Sequence, residues 1–256
     1  MITSTSNIQV KQLLQLQKKA RERAAQDVFV VEGIKMYQEV PKERLVRTYV
    51  SESFYKKRKE LFAKGQQVTV MSDRVFESVS DTKTPQGVLC LVRQYHYELQ
   101  DLLGECPLVM ALENIQDPGN LGTILRTAEG AGVTGVLMSA GCVDIYNPKV
   151  IRSTMGSVYR MPFYYAENWE GALNSLKQAG VSVYAAHLRG RDTHDRQDYR
   201  SPSAFLIGNE SRGLSEETAA FADTYIRIPM CGQVESLNAA VASAILMYEA
   251  NRQRRG

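Results

Sequence analysis

Three loop-forming clusters hold most of the residues with chemical capacity. The first runs Leu112-Glu113-Asn114-Ile115-Gln116-Asp117-Pro118-Gly119-Asn120-Leu121-Gly122, with Arg126 following. The second is Ile207-Gly208-Asn209-Glu210-Ser211-Arg212-Gly213-Leu214. The third, Ile228-Pro229-Met230-Cys231-Gly232-Gln233-Val234-Glu235-Ser236-Leu237-Asn238, opens a stretch rich in small residues. Carboxylates, carboxamides, hydroxyls and a guanidinium in Gly-rich loops suit the holding and orienting of a polar ligand. Asp117-Pro118-Gly119-Asn120 has strong turn chemistry, and Asn120 is a good helix N-cap. Each cluster adjoins an expected strand, and open α/β sheets bind ligands beyond the carboxyl ends of their strands. Taken singly, each has a plainer reading. Arg126 could pair with Glu129 one turn on, Glu210 could be a solvated turn residue, and Ser236 an N-cap.

Several other chemistries are excluded. The three histidines (His96, His187, His194) lie outside the clusters, so the usual near-neutral base is missing, and none has metal-ligand spacing. The cysteines (Cys90, Cys106, Cys142, Cys231) are far apart with no C-x-x-C pair, which argues against a disulfide framework or zinc ribbon and suits a reducing cytoplasm. A G-x-G-x-x-G is present at Gly130, Gly132 and Gly135. A dinucleotide fingerprint must follow a strand and open a helix, whereas here helical LGTILRTAE comes first and the strand VLM afterwards. Gly130 and Gly132 are better read as helix C-terminal glycines. Neither a G-x-x-x-x-G-K-[ST] nor a G-x-S-x-G occurs.

The elements that must position the clusters follow from hydrophobic rhythm. Asn7–Ala25 reads as one basic amphipathic helix carrying Lys11, Lys18, Lys19, Arg21 and Arg23. Strands are predicted at Val28–Val31, Leu45–Val50, Gln67–Met71 and Gly87–Val92, with helices at Gly33–Val40, Phe54–Ala63 and Arg74–Val79 between them. Gln94–Pro107 breaks the alternation and reads as a linker. Strands are then predicted at Leu108–Leu112, Val136–Met138, Val181–Ala185, Ala204–Ile207 and Tyr225–Ile228. Helices fall near Leu121–Glu129, Trp169–Gln178, Glu216–Phe221 and Leu237–Asn251. Strands alternating with helices mean α/β layers, with expected domains 1–95 and 107–256 joined by a linker at 96–106. The 256 residues, 44% hydrophobic and 23% charged, suffice for two such cores. No apolar run reaches the roughly 18 residues of a membrane helix, and the N-terminus lacks the apolar block of a secretory signal.

Charge is uneven. Residues 1–75 carry 15 Lys+Arg against 8 Asp+Glu, and the remainder 16 against 20, giving the overall +3. A basic front on a near-neutral body points to an anionic partner met through the N-terminal part.

Taken together and in order, the clusters resemble the three motifs of the SpoU (TrmH) family of RNA ribose 2′-O-methyltransferases, within the SPOUT group. Motif one is matched by Asn114, Asp117-Pro118-Gly119-Asn120-Leu121-Gly122 and Arg126. Motif two is matched by Gly208-Asn209-Glu210 with Gly213-Leu214-Ser215, and motif three by Ile228-Pro229-Met230 with Val234-Glu235-Ser236-Leu237-Asn238. Ser6-Asn7, Lys11, Arg21, Phe29-Val30-Val31-Glu32-Gly33 and Thr84-Pro85-Gln86-Gly87-Val88 resemble the substrate-binding module, similar to ribosomal protein L30e, that precedes the catalytic domain in many members. Two departures are Ala239-Ala240, where many relatives have valine and serine, and Arg212, where a small residue or lysine is common.

The resemblance implies an N-terminal L30e-like α/β domain and a C-terminal SPOUT α/β domain with a deep trefoil knot. It implies S-adenosylmethionine as cofactor, bound by Gly208, Ile228 and Leu237. It further implies catalysis by Arg126 with Asn120, Glu210, Ser236 and Asn238, no metal, and a cytoplasmic homodimer with its active site at the subunit boundary. The implied substrate is RNA, with 23S ribosomal RNA preferred. Lys11, Lys18, Lys19, Arg21 and Arg23, with the run Lys56-Lys57-Arg58-Lys59, would attract its backbone. Alternatives are a transfer-RNA ribose 2′-O-methyltransferase and a non-catalytic RNA-binding ribosome-assembly factor. An arginine is almost always protonated, so Arg126 is expected to grip a phosphate and stabilise a developing alkoxide rather than act as a general base.

Overall fold

The computed structural model describes residues 1–62 and 65–255. In chain order its helices and strands begin α1 (Ile8–Lys18), α2 (Ala20–Gln26), β1 (Val28–Glu32), α3 (Ile34–Glu39), β2 (Leu45–Ser51), α4 (Glu52–Lys57), β3 (Val68–Met71), α5 (Asp73–Val79) and β4 (Val88–Arg93). They continue β5 (Leu108–Leu112), α6 (Pro118–Ala131), β6 (Gly135–Ser139), α7 (Pro148–Thr154), β7 (Phe163–Ala166), α8 (Trp169–Gln178) and β8 (Ser182–Ala186). Last come β9 (Asp192–Thr193), β10 (Ser203–Ile207), α9 (Glu216–Ala219), β11 (Thr224–Arg227) and α10 (Ala239–Arg255). The chain forms two compact units, 1–95 with 144–159, and 96–143 with 160–255.

The first unit is built on a four-stranded sheet of order β1-β4-β2-β3. β4 runs antiparallel to both neighbours, and β2 and β3 are parallel. Its core gathers Val10, Leu13 and Leu16 of α1 with Val28, Val30, Tyr49, Leu89 and Phe76, as the apolar spacing of α1 requires.

The expected single N-terminal helix is instead two. Lys19 is extended (φ −121°, ψ 115°), and this ends α1. Arg23 of α2 turns back and donates to the freed carbonyls of Leu16 (2.7 Å) and Gln17 (3.1 Å), and also to Asp144 (3.0 Å from Nε). Orphan helix C-terminal carbonyls are thereby satisfied by a buried cation.

The helix expected over Phe54–Ala63 begins earlier, at Glu52, where Ser51 caps it. It passes into a single 3₁₀ turn, Lys59–Leu61. Ala63 lies outside the described residues.

Residues 144–159 were expected in the second domain and pack instead within the first unit. The Tyr146 ring stacks on Phe29 with centroids 4.7 Å apart, and its hydroxyl donates to the Tyr95 carbonyl at 3.0 Å. Arg152 pairs with Asp81, and Tyr159 donates to the Met36 carbonyl at 3.1 Å. The segment includes α7, which hydrophobic rhythm did not reveal.

The second unit is a seven-stranded, all-parallel sheet of order β7-β6-β5-β10-β8-β11-β9. β5, β6 and β10 are buried throughout, so they read as continuous apolar runs rather than alternating ones. β7 lies at one edge and is too short and aromatic to have shown a period.

The expected linker is not a free tether. Glu98 and Asp101 form a capping box over a 3₁₀ turn at Leu99–Leu102, and Leu102 is fully buried in the core of the second unit. It sits so close to Gly135 that a Cβ there would overlap its side chain. Gly132 closes α6 in the left-handed region at φ 75°, so the G-x-G-x-x-G is a helix-to-strand turn, as read.

The C-terminal arginines include a structural tie. Arg254 donates to the carbonyls of Tyr199 (2.8 Å), Cys106 (2.9 Å), Pro107 (2.9 Å) and Ser201 (2.8 Å). Replacing Arg254 with alanine is expected to cost about 2–3 kcal/mol, since hydrogen bonds to charged groups are the stronger kind. That corresponds to a fall in Tm of roughly 5 °C, measurable by thermal melting. An unchanged Tm would show the tie to be dispensable.

Candidate functional site

The first loop leaves β5 and enters α6, and its caps differ from those expected. Asp117, not Asn120, caps the helix: its Oδ1 accepts from the Asn120 N–H at 2.8 Å. Pro118 then sits in the first turn, where no N–H is needed. This frees the Asn120 side chain. Its Nδ2 donates to Glu210 Oε1 (3.0 Å) and its Oδ1 accepts from Asn238 Nδ2 (2.9 Å). One carboxamide therefore links all three loops.

Glu210 also receives the backbone N–H groups of Asp117 (3.1 Å) and Gln116 (3.3 Å). Partial burial works against its charge. The hydrogen bond from Asn120 and the backbone donors, those of Asp117 and Gln116 among them, together outweigh it and hold the carboxyl below its ordinary value. A carboxylate depressed in the folded state adds stability above its unfolded pKa, and loses it as pH falls through the folded value. Glu210→Gln is therefore expected to flatten the loss of Tm below about pH 4.5. An acid melting profile unchanged from wild type would count against this.

Asn238 caps α10, its Oδ1 accepting from the N–H groups of Ala240 (2.9 Å) and Val241 (3.3 Å). Ser236 is thus not the cap. It lies exposed two residues upstream in the loop.

The second loop depends on a close backbone crossing. A Cβ on Gly208 would overlap the Gly213 carbonyl carbon and the Leu214 nitrogen, so only glycine fits. Asn209 closes the turn, its Oδ1 accepting from the N–H groups of Ser211 (3.0 Å) and Arg212 (3.1 Å) while its Nδ2 donates to the Asn114 carbonyl (2.8 Å). Asn114 is left-handed (φ 55°), a conformation asparagine tolerates. It is fixed by exchange with Ser139: N–H to Oγ at 2.9 Å, and hydroxyl back to Oδ1 at 3.0 Å.

One supporting residue was missed. Glu113 is buried, and accepts from the Ser215 N–H (2.8 Å), the Ser215 hydroxyl (2.7 Å) and the Thr218 hydroxyl (2.6 Å). Its signal in the sequence was a charge at the end of an apolar strand, which must find partners when buried. It pins the first loop to the second beneath a cavity of about 510 Å³ lined by Glu113, Asn114, Gln116, Asn209, Arg212 and Ser215, among others.

Asn120, Glu210 and Asn238 are thus brought together, whereas Arg126 and Ser236 do not join them. Arg126 is exposed on α6 and has no hydrogen bond or ion pair among the described residues. The Glu129 that might have paired with it is engaged by Arg160. Gly208 follows β10, Ile228 follows β11, and Leu237 precedes α10. Their peptide N–H and C=O groups take no hydrogen bond from the other described residues. They are therefore free to read the edge of a planar heterocycle, which fits the expected adenosine. Of the basic residues, Lys11, Lys18, Lys19 and Arg21 are exposed. Arg23 is only 3% exposed and belongs to the packing of the first unit, which removes it from any nucleic-acid surface.

Known proteins resemble this chain over nearly its whole length. Residues 107–248 match the model of the SpoU rRNA Methylase family, and residues 7–90 that of the MRM3-like substrate binding domain. The chain is 32% identical over 250 residues to the 23S rRNA (guanosine(2553)-2′-O)-methyltransferase RlmP of Bacillus subtilis, covering 96% of this chain and 97% of that one. It is also 32% identical over 233 residues to human mitochondrial rRNA methyltransferase 3, covering 69% of this chain and 55% of that one. Among solved structures, an AdoMet-bound rRNA methyltransferase from Sinorhizobium meliloti superposes with a TM-score of 0.87 at 31% identity, over 98% of this chain and 97% of that one. The chain belongs to the SpoU rRNA methylase family.

Proposed function

We propose that this protein transfers a methyl group from S-adenosylmethionine to a ribose 2′-hydroxyl in 23S ribosomal RNA. The observation that carries this reading is the Glu210–Asn120–Asn238 chain, which ties three loops distant in sequence into one place. It occurs in a chain whose relative over nearly its whole length is a 23S rRNA 2′-O-methyltransferase.

When bound, S-adenosylmethionine supplies a methyl group on a positively charged sulfur, open to attack in line by an oxygen. The free peptide groups of Gly208, Ile228 and Leu237 hold the adenosine at the strand ends. Glu210 orients Asn120, and Asn120 in turn fixes Asn238 and so the start of α10. Arg126 grips a phosphate beside the target ribose in a two-pronged contact and stabilises the oxygen as its proton leaves to that phosphate or to solvent. Ser236 holds the same phosphate through its hydroxyl. Positioning of this kind is worth several powers of ten in rate.

The reading includes a homodimer. On an α-helix Arg126 lies about 120° around from Asn120, so in a single copy it faces away from the loop junction. Val241, Ala244, Ile245 and Tyr248 form an apolar stripe on α10 at helical spacing, with Val241 48% and Tyr248 49% exposed. Tyr248 lies beside Gly130 of α6, so Arg126 and the stripe are carried on two neighbouring helices. A second copy covering that face would bring Arg126 to its partner's loops. Of the alanines on α10, Ala242 and Ala244 are part-exposed, whereas Ala239 is buried within the chain. A trefoil knot through the last strands and α10, and a cytoplasmic location, complete the reading. Among the described residues no helix is long and apolar enough to cross a membrane.

The test is to map ribose methylation across ribosomal and transfer RNA in a strain lacking the gene. One 23S site lost, restored by wild type but not by Arg126→Ala, is the expected result. Loss of a transfer-RNA methyl instead would reassign the substrate, and no loss anywhere would make the protein a scaffold.

A further inference from the structure

Four aromatic rings gather outside the core of the first unit, where β1 and β2 end and β4 begins. Phe62 is the hub. Its centroid lies 5.8 Å from Tyr55 in a stacked arrangement, 5.7 Å from Tyr37, and 6.4 Å from Phe54 edge-on. All four are half-buried, and none belongs to the hydrophobic cluster under the sheet. The group is nonetheless held firmly. A Cβ on Gly87, at the entry to β4, would come 2.6 Å from the Phe54 Cβ, and Gln66 donates to the Tyr37 hydroxyl at 2.8 Å.

Cations surround these rings in the chain. Lys56, Lys57, Arg58 and Lys59 are all exposed, as is Lys35 on α3, two residues from Tyr37. Glu52 binds Lys56 at 2.6 Å and Glu60 lies 4.0 Å from Arg58. Lys35, Lys57 and Lys59 have no ion pair among the described residues. Part-exposed aromatic residues with unpaired lysines close by in the chain suit single-stranded nucleic acid: bases stack on rings while phosphates follow the cations. An A-form duplex keeps its base faces stacked inside and could use only the cations.

We propose that this aromatic and basic patch stacks unpaired bases of the RNA substrate, so that the first unit selects a single-stranded segment rather than a duplex. The proposal rests on the RNA-methyltransferase reading and specifies which form of RNA the front of the chain takes. The patch is also distinct from Lys11, Lys18, Lys19 and Arg21, exposed along α1 and α2, which offer charge without rings.

The test uses the full chain, a short oligouridylate, and a duplex of matched length. Tyr55→Trp is expected to show saturable fluorescence quenching with the single strand and none with the duplex. Tyr55→Ala is expected to weaken single-strand binding about tenfold or more, the scale of one lost base–aromatic stack, while Tyr55→Phe stays within about twofold. The affinity for S-adenosylmethionine should be unchanged by Tyr55→Ala, and a cooperative thermal melt should show that the variant stays folded despite losing the stack on Phe62. Two results would overturn the proposal while leaving the RNA reading intact: single-strand binding by Tyr55→Ala equal to wild type, or equal quenching of Tyr55→Trp by duplex and single strand. Wild type binding neither RNA would instead overturn the reading on which the proposal depends.

Discussion

Replacing Arg126 with alanine is expected to slow single-turnover ribose methylation by about 10²–10³-fold, the usual cost of losing one donor aimed at developing negative charge. The affinity for S-adenosylmethionine, measured by calorimetry, should stay within about twofold of wild type, because in this reading the peptide groups at Gly208, Ile228 and Leu237 hold the adenosine and Arg126 acts on the RNA. The Tm should not move either: an exposed side chain with no hydrogen bond or ion pair among the described residues has little folding energy to lose. The sharper variant is Arg126→Lys. A lysine keeps the charge but presents a point rather than a planar fork, so turnover should remain low. Near-normal turnover in Arg126→Lys would show that charge alone suffices, and the two-pronged grip would have to be abandoned.

The second large effect is expected at Gly208. An alanine there drives its methyl into the Gly213 carbonyl carbon and the Leu214 nitrogen. Backbone atoms cannot rotate out of the way as a side-chain tip can, so the second loop must shift. Overpacking of this kind costs about 1–3 kcal/mol, and the displacement moves Glu210 away from Asn120 as well. Both a lower Tm and at least a tenfold loss of cofactor affinity are therefore expected, the latter corresponding to about 1.4 kcal/mol. Gly232→Ala is the control, since a Cβ there meets nothing within 4 Å, and its Tm should match wild type. Normal cofactor binding by Gly208→Ala would mean that the loop tolerates rearrangement and does not shape the binding site.

What could be read from the residues alone divides by range. Strands buried on both faces announce themselves as apolar runs, so Leu108–Leu112 has the expected bounds and Ala204–Ile207 lies within one residue of them. Gly132 as a helix terminator is likewise local, because a left-handed residue after a helix is needed at that position alone. The three loops were recognisable as polar, glycine-containing stretches at strand ends. Which side chain does what within them was harder to see. Asn120 has good capping chemistry, but Asp117 lies three residues earlier with Pro118 behind it, and that pairing wins the cap. Asn120 is thereby released to bridge Glu210 and Asn238, a contact spanning about ninety residues on one side and more on the other. Arg23 shows the opposite error. Its neighbours Lys19 and Arg21 are surface cations, and nothing in its spacing says that it alone is buried against Asp144, more than a hundred residues away. Glu113 falls between these cases, since its burial was inferable from the strand before it while its partners Ser215 and Thr218 were not.

The return of residues 144–159 to the first unit bears on how such a protein can change its target over evolutionary time. If the front part were a bead on a string, recombination could exchange it in one cut and leave the rest untouched. Here a successful exchange must bring two separated gene fragments that have been inherited together. A graft of residues 1–95 alone would strand Ile145, Tyr146, Val150, Ile151 and Val158, all buried at present, against a foreign surface. Drift within the existing front part is therefore an easier route to a new specificity than wholesale replacement, and any laboratory chimaera should be spliced at 143 and 159 as well as at 95.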